Sequence, residues 1–295
     1  MREALKPVSA LLISVAILLT GQGLQGTLLP IRASVESFST TSIGLMGAAY
    51  FLGFTIGCLL GVYFVKRVGH IRVFLAMTAI ASTTALIHAL LLFPSIWILM
   101  RMLTGFCFAV LFVVIESWVN DRSSNENRGV IFSVYVMITL TVQAAGQFLI
   151  LLYEPNGVEL FAITSILVTL AAIPIALSTS PAPYIDQNTS FDLKKLYKIS
   201  PAAVIGCLFI GLANGSFWSL APIFISDVFA DISFTAYFMT AVIVGGAIFQ
   251  WPIGYLSDKI GRRKITIITA AFSATISFLI VSMIDTLNLS GLIIT

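Results

Sequence analysis

Residues 254–264 read G-Y-L-S-D-K-I-G-R-R-K. Asp258, Lys259, Arg262, Arg263 and Lys264 crowd into this stretch of a chain that is only 10% charged. The residues on either side, AYFMTAVIVGGAIFQWPI at 236–253 and ITIITAAFSATISFLIV at 265–281, are almost wholly apolar. A knot of charge between two such runs reads as a loop at a membrane surface. It joins helices that can each cross a hydrocarbon core of about 30 Å, which takes about 20 helical residues.

The rest of the chain has the same character. With 58% hydrophobic residues, 22 Phe and a mean hydropathy of +1.02, too little polar surface exists to coat a soluble globule. Lipid offers backbone groups no hydrogen-bond partner, and the apolar runs lack the alternation of barrel strands, so helices are expected. Nine spans are read, at 8–31, 41–65, 71–93, 95–118, 129–152, 158–179, 202–226, 233–257 and 265–284; a further run, NLSGLIIT from Asn288, is too short to cross. The first span has a longer apolar core than a cleaved signal peptide. Cys58, Cys107 and Cys207 are isolated within spans and imply no disulfide framework. All but two of the 16 Lys and Arg residues fall on one side of this topology. Arg32 lies on the other and Arg101 inside a span. The asymmetry places the N-terminus in the cytoplasm of a plasma (inner) membrane, and the net charge of +3 calls for no nucleic-acid partner.

The chain is also written twice, at an offset of 192 residues. Gln22 maps onto Asn214, Gly23 onto Gly215, Thr27 onto Ser219, Pro30 and Ile31 onto Pro222 and Ile223, Gly53 onto Gly245, Tyr63 onto Tyr255, Arg67 onto Lys259, Gly69 onto Gly261 and Arg72 onto Lys264. Six spans separate equivalent points, so the two halves run in the same direction. The opening loop is the one between spans eight and nine, and VYFVKRVGHIR at 62–72 is its partner between spans two and three.

In this light GYLSDKIGRRK resembles the signature loop of the major facilitator superfamily, with Gly254, Asp258, Gly261, Arg262 and Arg263 at the family's spacing. RMLTGFCFA in span four supplies a second family pattern through Arg101, Gly105 and Ala109, and ESWVNDRSSNENRG with the following YVMITLTVQAAGQ is similar to the YcaD-like branch. The resemblance implies an all-α polytopic bundle of two parallel six-helix pseudo-repeats, here C-terminally truncated with the second half incomplete. It divides the chain into an N-terminal half at 1–180, a cytoplasmic linker at 181–200 and a partial C-terminal half at 201–295. Within the linker region, SFDLKKLYKIS is expected as a short interfacial helix.

For the charged loop two readings stand: a solvated turn that obeys the charge rule, or a cytoplasmic gate that latches the halves, the role the resemblance implies. Gly261 suits the tight turn, Arg262 and Arg263 hold it at the interface, and Asp258 at the end of span eight suits a helix N-terminus. In the first half Lys66 stands where the family usually has Asp, and His70 where it has Arg. That departure leaves Glu116, near the end of span four, as the acceptor for Arg67 or Arg72.

Arg101 is costly within a span, about 2.5–3.5 kcal/mol on insertion scales. One reading has it snorkel to the outer interface from about 9 Å inside. The family analogy instead gives it a part in proton coupling or in holding a cavity network. Gly105 and Ala109 follow at i+4 and i+8, a smooth face for close helix packing.

Mid-span amides mark the substrate cavity. Gln22 and Asn214 are pseudo-equivalent and lie in the Gly-rich stretches TGQGLQG and GLANGSFWS; an amide at mid-depth needs a polar partner, whether a neighbouring helix or a solute. Gln25 shares a face with Gln22, Trp218 offers Asn214 an aromatic wall, and Gln143, Gln147 and Gln250 with Trp251 are further candidates. No G-x-x-x-x-G-K-[ST] loop, His-based triad or metal pair is found, so neither a catalytic residue nor a cofactor is assigned and an enzyme is not expected. Span five carries AAGQFL where many antiporters of the superfamily have a Gly-Pro-rich signature. The expectation is a secondary active transporter that moves a small organic solute, with a coupling proton, by alternating access about a cavity lined by spans one, four, five, seven and eight. The alternative is a receptor or assembly protein that retains the fold without transporting.

Overall fold

A computed structural model describes residues 8–123, 128–178, 193–229 and 231–294. The described residues fold into α-helices and contain no strand. In order they are α1 (Ser9–Val35), α2 (Thr40–Val68), α3 (His70–Leu90), α4 (Pro94–Asp121), α5 (Arg128–Phe148) with a 3₁₀ turn Leu149–Leu152, α6 (Glu159–Leu170), α7 (Ala172–Ala176), α8 (Leu193–Ile199), α9 (Pro201–Val228), α10 (Ile232–Ile260) and α11 (Arg262–Ile294).

Local chemistry sets the ends. Ser39 caps α2 by accepting from the Ser42 N–H at 3.1 Å, and Ser200 caps α9 by accepting from the Ala203 N–H at 3.4 Å. Pro94 and Pro201 open α4 and α9, where a missing N–H costs nothing. The sixth predicted span, 158–179, is broken at Ala171 into α6 and α7. Pro174 has no N–H to give to the Leu170 carbonyl, and the lost helical bond falls at this break.

Among the described residues eight helices are long and apolar enough to cross a membrane. The ninth predicted span, 265–284, lies within α11 and is not one of those eight. The apolar run from Asn288 is not a separate element but the end of the same helix. A short helix, α8, stands within the stretch where an interfacial helix is expected, with Leu196 and Tyr197 exposed. The expected linker at 181–200 otherwise lies largely outside the described residues.

The chain forms two compact units, Met1–Val244 and Gly245–Thr295, a division later than the linker at which the half boundary is expected. In the first unit α1 runs through the interior, with Leu18, Leu19, Leu24, Leu28 and Leu29 all at most 1% exposed. Trp97 anchors one apolar cluster, its ring edge-on to Phe38 and His88 at 5.2 Å each and to Phe161 at 6.1 Å, its indole N–H given to the Leu91 carbonyl at 2.8 Å. A second cluster gathers Phe74, Phe108, Leu111, Ile115 and Trp118.

The smooth face of α4 expected from Gly105 and Ala109 packs on α2. A Cβ at Gly53 would strike the Met102 carbonyl oxygen, one at Gly105 the Tyr50 carbonyl oxygen, and one at Gly57 the Phe106 backbone and the Ala109 methyl. These backbones approach as closely as small residues permit.

The second unit holds the end of α10, a turn at Gly261 and α11. Gly261 has φ +105°, Lys259 Nζ lies 4.4 Å over the Tyr255 ring, and Arg262 and Arg263 are exposed. The repeat is visible in the helix bounds: α2 and α10 are each 29 residues long and begin and end 192 positions apart. The same offset relates the starts of α1 and α9 and of α3 and α11.

Candidate functional site

Within the first unit α1, α2, α4, α5 and α9 enclose a cavity of about 350 Å³. Helical geometry explains how these segments converge on it. On α1 the lining residues are Gln22, Gln25, Gly26, Leu29 and Pro30, a stripe at i, i+3, i+4, i+7 and i+8; on α2 they run Ile43, Met46, Gly47, Tyr50, Phe51 and Phe54 at the same periodicity. Arg101 and Phe112 come from α4, Gln143 and Gln147 from α5, one turn apart, and Asn214, Trp218 and Ser219 from α9. Pro30 cannot donate to the Gly26 carbonyl, so α1 lacks that one backbone hydrogen bond where it passes the cavity.

Gln22, Gln25, Gln143, Gln147, Asn214, Trp218 and Arg101 therefore all border one space. Gln250 lies on α10 beyond Val244, in the second unit, and is exposed. α2, not among the spans expected to line the cavity, also supplies a wall. Tyr50, Phe51 and Phe54 on that wall went unrecognised in the sequence. The Gly47, Tyr50, Gly53, Phe54 stripe at helical spacing, with a phenol mid-span that needs a polar partner, is the signal that marks them.

A chain of polar contacts crosses the cavity wall. The Gln22 amide donates to the Tyr50 hydroxyl at 3.1 Å, and the Arg101 guanidinium lies 4.3 Å from the Tyr50 ring centroid. This is cation–π range. Arg101 thus borders the cavity, and it forms no ion pair among the described residues. On α5, Gln147 is 1% exposed; its Oε1 accepts from the Thr27 hydroxyl and its Nε2 has no partner. Gln25 is 3% exposed. α9 approaches α2 closely here, since a Cβ at Gly47 would collide with the Ser219 side chain and one at Gly215 would press on the Phe51 ring at 3.2 Å.

The gate candidates are placed as follows. Glu116 is exposed and makes no ion pair with Arg67 or Arg72 among the described residues; Arg67 instead donates to the Tyr63 hydroxyl at 3.4 Å. His70 is 2% exposed, 3.0 Å from the Ser117 hydroxyl and edge-on to Trp118. Gly261, Arg262 and Arg263 form the turn and the first residues of α11. The Asp258 side chain lies outside those described. Three cations in the first turn of α11, Lys264 included, oppose the helix dipole, so their value lies at the membrane interface rather than in the helix. No group of three or more His, Cys, Asp or Glu among the described residues is placed to hold a metal ion.

Comparison with known proteins agrees with this architecture. The chain is 27% identical over 260 residues to the MFS-type transporter YcaD of Escherichia coli, covering 87% of this chain and 68% of that one. It is 26% identical over 259 residues to the YcaD of Escherichia fergusonii, with the same coverage. Among solved structures it is similar to the nucleoside transporter NupG, at TM-score 0.69 and 15% identity over 87% of this chain and 69% of that one. It is also similar to a bacterial homolog of the human lysosomal transporter Spinster in an inward-facing, unoccupied conformation, at TM-score 0.70 and 14% identity over 88% and 64%. At such identities the likeness to these structures is one of fold. The family description that matches the sequence, Major Facilitator Superfamily, does so over residues 11–295, and the chain belongs to that family.

Proposed function

We propose that this chain is the body of a secondary active carrier that moves a small organic solute by alternating access. The observation that carries the reading is the cavity. In helices otherwise almost wholly apolar, amides from α1, α5 and α9 and the guanidinium of α4 face a common space of about 350 Å³, at the small end of the range for solute sites. Polar groups at such depth are costly unless they serve a solute or each other. The proposed setting is the inner membrane with the N-terminus in the cytoplasm, the cationic loop around Gly261 on that same side. The sequence has no nucleotide-binding loop, so an ion gradient is the proposed energy source. A proton is the proposed coupling ion, with Arg101, Tyr50 and Gln22 as the contacts that respond to it.

Substituted-cysteine accessibility tests the reading. With Cys58, Cys107 and Cys207 replaced, cysteines at Gln25 and Asn214 in membranes are expected to react with a membrane-impermeant thiol reagent from one side at a time. The accessible side should switch when an imposed pH gradient is reversed. Labelling from neither side, or equally from both under every condition, overturns alternating access at this cavity.

A further inference from the structure

The composition of the cavity wall specifies a class of solute, an inference that rests on the transport reading above. Among the described residues Arg101 is the one charged member of the lining. No carboxylate among the described residues pairs with it, and its partner is the face of the Tyr50 ring at 4.3 Å. A ring quadrupole holds a cation without neutralising it. The guanidinium thus keeps its full charge and its planar fork of donors at a wall of low dielectric, where an uncompensated charge is unfavourable and a planar oxyanion is matched by two parallel hydrogen bonds.

Other donors are unfilled in the same space. Gln147 Nε2 has no partner although the side chain is 1% exposed, and Gln25, 3% exposed, makes no hydrogen bond among the described residues. Opposite the polar groups stand flat apolar faces, Phe51 and Phe54 from α2 and Trp218 from α9. We infer that the cavity takes a small organic monoanion: a carboxylate-like group against Arg101 and the amide donors, and a planar apolar body against the aromatic wall. A cationic solute would meet Arg101 with like charge. A dianion would bring a second charge that the wall does not balance.

Three probes of one shape and different charge test this: benzoate, benzamide and benzylamine. The full chain in nanodiscs is equilibrated with radiolabelled benzoate, with empty nanodiscs subtracted, and the other two compete. Saturable benzoate binding at least tenfold tighter than benzamide, with no competition by benzylamine, is expected. Arg101→Gln should bring benzoate and benzamide level, while Arg101→Lys keeps their order. Because the ranking is read on the unaltered chain, a misfolded variant does not decide the outcome. Benzamide binding as tightly as benzoate, or no saturable benzoate binding, overturns the inference. If all three probes bind alike and Asn214→Trp, which fills the cavity, removes them, the anion inference falls and the transport site stands. If benzoate binding survives both Arg101→Gln and Asn214→Trp, the site lies elsewhere and both readings fall.

Discussion

Gly69 and Gly261, 192 positions apart, each close a turn at positive φ. Their φ angles are +87° and +105°. Each ends a helix by giving its N–H to the carbonyl four residues back, Val65 at 2.9 Å and Ser257 at 3.1 Å. Each then accepts from the N–H four residues on, Val73 at 3.2 Å and Ile265 at 3.3 Å. A repeat read from shared Gly, Pro and polar positions is thus repeated hydrogen bond for hydrogen bond.

Gly69 pairs φ +87° with ψ 161°, a region that only glycine occupies freely. A Cβ there would meet nothing within 4 Å. Gly69→Ala is therefore expected to lower stability by about 1–3 kcal/mol through backbone strain alone. Gly69→Asn should give no rescue, because asparagine tolerates the left-handed helical region and not this one. Thermal unfolding in detergent checks both; an asparagine variant as stable as the original chain rejects the argument.

The contact between α2 and α4 responds to size instead. A Cβ at Gly105 would collide with the Tyr50 backbone, so Gly105→Ala must push the helices apart. A loss of about 1–3 kcal/mol is expected, as for other overpacked cores. Gly206, where a Cβ would have open space, serves as the control: Gly206→Ala should leave the midpoint unchanged or raise it slightly.

How much of this was legible in the sequence follows from the kind of signal each feature leaves. Helices, loop positions and the repeat are carried by hydropathy, proline and glycine, which act locally, so α2 and α10 are already outlined in the text of the chain. The stripes of Gln22 with Gln25 and of Gln143 with Gln147 also follow from helical spacing. What spacing along one helix cannot say is which helix comes next to it. The α2 wall, with Tyr50 between Gln22 and Arg101, depends on packing across helices that are far apart in sequence. The break at Ala171 was legible in Pro174, and the division at Val244 was not, because it depends on how α9 packs against α1 and α2.

Tyr50 plays two parts that can be separated. Its hydroxyl takes the Gln22 amide at 3.1 Å and its ring carries Arg101. Tyr50→Phe should cost about 0.5–1.5 kcal/mol, the net value of one hydrogen bond, and leave Arg101 in place. Tyr50→Leu should cost more by about 0.5–2 kcal/mol, since the cation then loses its ring. A double-mutant cycle of Tyr50→Leu with Arg101→Gln should show coupling of similar size. Additive losses would mean that the ring and the guanidinium do not interact in the folded protein.

The Thr27 and Gln147 pair gives the sharpest separation of stability from binding. Thr27 is 0% and Gln147 1% exposed, and the hydroxyl of the first donates to the amide of the second. Removing one partner leaves the other buried without a hydrogen bond, so Thr27→Val and Gln147→Leu should each destabilise by about 1–3 kcal/mol. Removing both replaces a polar contact by an apolar one of similar shape, and the double variant should return close to the original stability. It still lacks the Gln147 Nε2, the donor left unfilled beside the cavity. Recovery of the thermal midpoint together with weakened benzoate binding is the expected pair of results. A double variant with the sum of the two single losses would show that the hydroxyl and the amide act independently. Recovered stability with undiminished binding would remove Gln147 from the solute's contacts.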